Sequence, residues 1–187
     1  MRRASFIAAL CAGTIGALGC LGTSPQEREK QAQGEYEDGD EFHRPGQPCL
    51  VCHSEDFSPG DDVFQVAGTI YLTPTSPDGL AGVTVEVTDA AGRVATATTN
   101  RVGNFMFKKG DDEGEEREDR EDREERDGKV KLPYRVTYPL TIRVSYLEFE
   151  QVMESVSWRE GSCAHCHSLD GPHEGSEGRV YLTEVAP

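Results

Sequence analysis

The sequence predicts an all-β fold, an antiparallel sandwich of about seven short strands. Two observations carry this. The stretch "GVTVEVTD" (82–89) alternates cleanly, with Val83, Val85 and Val87 on one face and Thr84, Glu86 and Thr88 on the other, the period of a strand that covers a core on one side only. Short β-branched or aromatic runs also recur along the chain, separated by clusters of Pro, Gly, Ser, Asn and Asp that punctuate strands.

Taken in order, "VAGTIYL" (66–72) is closed by the turn cluster "TPTSPDG" and followed by the alternating stretch at 82–89. "AAGRV" turns the chain into "VATATTN" (94–100), and "NRVGN" turns it again into "FMF" (105–107). "YPLTIRVSYLEFE" (138–150) places Ile142, Val144 and Tyr146 on one face, and "RVYLTEV" (179–185) forms the last run. The opening "GTIY…LAGVTVEV" and the turn "TNRVGNF", within 66–107, resemble the carboxypeptidase regulatory-like, or transthyretin-like, family of β-sandwiches. The resemblance implies an Ig/transthyretin-like accessory or display module at 66–160, and such a scaffold alone implies no activity. Within it, 111–128 carries 12 acids and 4 arginines, and reads as a solvated charged insertion, with docking of a basic partner as the sharper alternative.

The N-terminus reads as a targeting signal. Arg2 and Arg3 precede an uncharged run of small and apolar residues (4–19), too short to span a bilayer. "ALGC" (17–20) resembles a bacterial lipobox, which implies a signal peptide at 1–19 and a lipidated Cys20 anchoring the protein to a membrane, the alternative being ordinary secretory cleavage near Gly19. Residues 20–41, rich in Glu, Gln, Asp and Gly, read as a flexible acidic tether. The implied location is the periplasm, outer membrane or cell surface of a Gram-negative bacterium. The formal net charge of −15 argues against nucleic acid and favours basic protein partners.

With Cys11 in the signal and Cys20 in the lipobox, the remaining cysteines form two pairs of identical pattern. These are Cys49-x-x-Cys52-His53, in the segment 42–65, and Cys163-x-x-Cys166-His167, in 161–178. The composition, 6 Cys and 5 His, would produce one CxxCH by chance only about 0.005 times. Two cysteines three apart can each form a thioether with one vinyl group of a porphyrin, and the adjacent histidine then lies under the iron. The motifs resemble those of multihaem c-type cytochromes. A zinc site made from all four cysteines leaves both histidines unexplained and separates its halves far beyond the usual knuckle spacing. A thioredoxin-like dithiol expects a strand-to-helix junction, and neither motif is flanked by a convincing amphipathic helix; plain local disulfides remain a minor alternative.

All five histidines lie near the paired cysteines: His43, His53, His165, His167 and His173. The resemblance implies two covalent haem c groups held by Cys49, Cys52, Cys163 and Cys166, with His53 and His167 as proximal iron ligands. His43 and His173 are the candidate distal ligands, His165 and Met153 are weaker ones, and Met106 reads as core rather than ligand. Each motif is followed by a run of similar signature, "AGTIYLT" (67–73) and "EGRVYLTE" (177–184). If these lie side by side and parallel, both motifs reach the same end of the sandwich.

The reading that results is an exported, lipid-anchored dihaem electron carrier exchanging electrons with redox protein partners, without catalytic residues. The alternatives are a surface β-sandwich interaction module with structural haem or zinc sites, and third, a haem peroxidase or reductase with one open iron.

Overall fold

The computed structural model describes residues 42–56, 63–109, 127–168 and 178–184. The expected signal peptide and Cys20, the expected tether 20–41, the charged insertion up to residue 126, and His173 lie outside the described residues.

Seven strands are described, in two sheets: β1 (Phe64–Thr69), β2 (Thr84–Thr88), β3 (Val94–Thr98), β4 (Asn104–Lys109), β5 (Lys129–Leu132), β6 (Thr141–Tyr146) and β7 (Phe149–Val152). One sheet runs β1-β4-β5 and the other β3-β2-β6-β7. Their facing sides enclose the main core, in which Val66, Ile70, Val83, Val85, Phe105 and Phe107 are almost wholly buried. The alternation expected at 82–89 is borne out. Val85 pairs with Ala97 on β3 and Val144 on β6, and all three point into the core. Ile142 and Tyr146 pack against the same core at its margin, as their shared face requires.

The expected element list needs three corrections. The run 138–150 is a hairpin rather than one strand, because Leu147 adopts φ 51° and turns the chain between β6 and β7. Turns of this kind usually announce themselves with Gly or Asn, so an exposed leucine there carries no signal. Second, β5 was not anticipated, and it pairs parallel to β4. The sheet is therefore not wholly antiparallel. The connection 110–128 is long enough for the crossover that a parallel neighbour needs. Third, residues 179–184 form no ladder of their own, and join the fold through one parallel bridge, Tyr71 to Tyr181.

That bridge realises the expected side-by-side, parallel placement. Tyr71 N–H donates to Val180 O at 2.9 Å and Thr183 N–H donates to Leu72 O at 3.0 Å. Further back along β1, Ala67 bridges Ser162, also parallel, with its N–H donating to Gly161 O at 2.9 Å. The segments flanking the second CxxCH motif thus cover the free edge of β1, whose other edge pairs with β4. Covering satisfies backbone groups that an open edge would leave to other chains.

A bulge at the start of β1 decides what lies on its outer face. Phe64 registers with Lys108 and Val66 with Phe107, so Gln65 is an extra residue in the ladder. Without it, Phe64 would share the inner face with Val66. The bulge re-aims Phe64 outward, where it joins Ala67 and Met106 in a second apolar cluster. The side chain of Gln65 then pins the neighbouring segment, donating to Tyr134 O at 2.9 Å and accepting from Val136 N–H at 2.8 Å.

Candidate cofactor site

Each CxxCH motif folds as a single helical turn. In the first, residues Cys49–Val51 form a 3-10 turn, and the N–H groups of Cys52 and His53 both donate to Cys49 O, at 3.2 and 3.0 Å. In the second, α1 (Cys163–Cys166) is closed by His167 N–H donating to Cys163 O at 2.8 Å. Residues three and four apart share a face of such a turn. Both cysteines and the histidine of each motif are therefore presented to one side. All four cysteines are free thiols.

The first motif lies across the outer face of β1 in the opposite chain direction. His53 stacks on Phe64, with centroids 4.4 Å apart and planes inclined by 24°. Cys49 and Leu50 pack on Phe64, Ala67 and Met106. Gly46 N–H donates to Thr69 Oγ1 at 2.7 Å. Met106, buried in this cluster, is packing material beneath the motif, as its position between Phe105 and Phe107 suggested.

The second motif meets the same strand from its edge. Cys163 packs against the main core and lies over Gly68. Burial is the main reason that the Cys49 and Cys163 thiols are pushed up to about 12 from their ordinary 9.0. Cys166 is raised as well, by burial first and by Glu160 second. Tyr138, beside Glu160 and Cys163, is pushed up to about 12, again chiefly by burial.

The histidines divide by position. His167 Nδ1 is 3.0 Å from Gly178 O; donation to that carbonyl fixes the tautomer with the lone pair on Nε2, the nitrogen that would ligate a metal. His43 lies 5.8 Å from His53, centroid to centroid, with planes at 46°. Two imidazoles that bind one metal from opposite sides, at about 2.0 Å per bond, have centroids roughly 6 Å apart. The structure therefore brings His43 to His53. His165 is inside α1, with Nδ1 3.8 Å from Glu160 Oε2. Met153 is on the other sheet just after β7, its N–H donating to Ile142 O at 2.9 Å.

No family model, curated protein or solved structure matches the chain. The chemistry of the site therefore rests on its own residues.

Among the described residues, no three His, Cys, Asp or Glu side chains converge to hold a bare metal ion. The four cysteines do not gather as a zinc tetrathiolate. Their arrangement as two S, S, N sets, each on one turn, suits a planar group attached through two thioethers and ligated by the adjoining imidazole. Ser162 Oγ, buried next to Cys163, has no hydrogen-bond partner among the described residues, an arrangement that costs about 1–3 kcal/mol unless another group meets it. Sequence reasoning passed over Phe64, Thr69, Gly68 and Asn104, which support the motifs. Of these, only the glycine carries any signal, as a small residue inside a strand where something approaches closely.

Proposed function

We propose that the chain is an exported dihaem c-type cytochrome, anchored through a lipidated Cys20, that carries electrons between periplasmic or cell-surface redox partners. The observation that supports this reading best is a recurrence. Two CxxCH motifs far apart in sequence each fold as a single helical turn, one 3-10 and one α, and both contact one strand, β1.

Cys49 and Cys52 would hold one haem c and Cys163 and Cys166 the other, with His53 and His167 on the irons. His43, set beside His53, is the distal candidate of the first site, and His173 keeps that role for the second. Bound haem supplies reversible one-electron transfer at its iron. The chain orients the two ligands, His53 through the ring of Phe64 and His167 through the carbonyl of Gly178. The contact of both motifs with β1 favours two haems near enough for direct exchange. The sandwich, read as transthyretin-like, acts as a rigid stand, and the net charge of −15 favours basic partners.

The test is expression of the exported form in a host that matures c-type cytochromes, followed by intact mass and a pyridine haemochrome spectrum. Two covalent haems are expected. Cys49→Ala with Cys52→Ala should remove one, and Cys163→Ala with Cys166→Ala the other. A haem-free product, with a control cytochrome matured in the same cells, would overturn the reading and return the motifs to a structural role in an interaction module.

A further inference from the structure

We infer that Thr69 and Asn104 are positioning residues for His43, holding it opposite His53. This rests on the reading of His43 as the distal ligand of the first site.

The two side chains face each other across the β1–β4 ladder, where Thr69 and Asn104 are register partners. Both are buried on the outer face of the sheet, under the segment that carries His43. Three hydrogen bonds tie that segment down through them. Gly46 N–H donates to Thr69 Oγ1 at 2.7 Å, Thr69 Oγ1 donates to Asn104 Oδ1 at 2.7 Å, and Asn104 Nδ2 donates to the backbone carbonyl of His43 at 3.2 Å. The chain bonds the backbone of His43 and of Gly46 and leaves the imidazole facing His53 at 5.8 Å.

The backbone between these two anchors is strained. Arg44 has φ 49°, an uncommon conformation for a residue with a side chain. Such strain persists only where the surroundings over-determine it, and it is concentrated at functional sites. Gly46 takes φ 80°, and a Cβ there would stand 2.4 Å from the Tyr71 hydroxyl. The loop is therefore pressed against Tyr71, just past the end of β1, as well as bonded at Thr69. Tyr71 itself is the residue bridged to Tyr181, and its ring lies under the Arg179 guanidinium at 4.3 Å. The strand that receives the second motif also fixes the ligand of the first.

The test uses the matured protein and four variants, each with its haem count from intact mass. Thr69→Val keeps the shape and removes the hydroxyl, Thr69→Ser keeps the hydroxyl, and Asn104→Asp keeps the acceptor for Thr69 but sets a carboxylate against the His43 carbonyl. Thr69→Val and Asn104→Asp should keep two covalent haems while one loses its low-spin spectrum and binds carbon monoxide when reduced. Added imidazole should restore the low-spin spectrum, and Thr69→Ser should match the parent. Both disruptive variants remaining fully low-spin and closed to carbon monoxide would overturn the inference. His43→Ala with an unchanged spectrum would overturn the ligand reading itself, and so distinguishes the two failures.

Discussion

Gly68 lies directly under Cys163. A Cβ on the glycine would stand 2.7 Å from the cysteine Cβ and 2.9 Å from its Sγ, with a Phe105 ring carbon at 3.1 Å. The side chain missing from β1 is the space in which the second CxxCH turn sits.

Gly68→Ala should therefore displace the second motif. Overpacking of this kind costs about 1–3 kcal/mol. In the matured protein, intact mass should show loss or partial loss of only the haem proposed for Cys163 and Cys166. Two full haems together with unchanged urea unfolding would show that the contact relaxes without consequence.

The half-buried thiols of Cys49 and Cys163 make the haem-free protein sensitive to alkali. Cys49 and Cys163 are raised to about 12 when folded, against an ordinary 9.0. A raised thiol favours the neutral form in the fold. Its stabilisation is complete below the unfolded value and is lost as the pH climbs from about 9 towards 12. The urea midpoint of the haem-free protein should fall above about pH 9, and Cys49→Ala with Cys163→Ala should flatten that fall. At pH 8 the folded protein should react with iodoacetamide at these two positions far more slowly than the unfolded chain.

Asp89 governs the acid side. Burial alone would raise its carboxyl, but the Arg93 guanidinium, at 2.5 Å, and the N–H groups of Arg93, Thr137 and Ala91 overcome that and lower it to about 2. A lowered carboxyl contributes stability that is full above about pH 4 and is lost between about pH 4 and pH 2. Asp89→Asn should cost about 1–3 kcal/mol at neutral pH, and its urea midpoint should change less between pH 5 and pH 2 than that of the parent. Equal acid slopes for the two proteins would remove Asp89 from the account.

Phe64 can be examined without any haem. Its ring stacks on His53 at 4.4 Å, so Phe64→Leu keeps an apolar side chain and removes the stack. The expected cost is about 1–2 kcal/mol. The ring-current shift of the His53 protons should collapse towards free-histidine values in the proton NMR spectrum. Unchanged His53 resonances would mean that the ring is held by something else.

The strands that face the core were legible because their chemistry repeats every second residue. Val83, Val85 and Val87 could hardly be read otherwise, and Phe105 and Phe107 turn inward while Met106 turns out, as alternation requires. The breaks in the pattern were not legible. Nothing in "DDVFQVAGT" marks Gln65 as a bulge, because the bulge exists only relative to its partner strand. Leu147 has no turn chemistry, and the side chains of β5 do not reveal that its neighbour is parallel.

The site divides in the same way. The sequence by itself determined the two S, S, N donor sets, since helical spacing places residues three and four apart on one face whatever surrounds them. The two "YLT" runs suggested a parallel pairing, and the structure supplies it at Tyr71 and Tyr181. Only the tertiary structure decided that both motifs contact β1, that Gly68 makes room for Cys163, and that Thr69 and Asn104 seat the segment carrying His43. These relations join residues far apart in the chain, and they depend on sheet register and on space. Neither is a property of any local stretch of sequence.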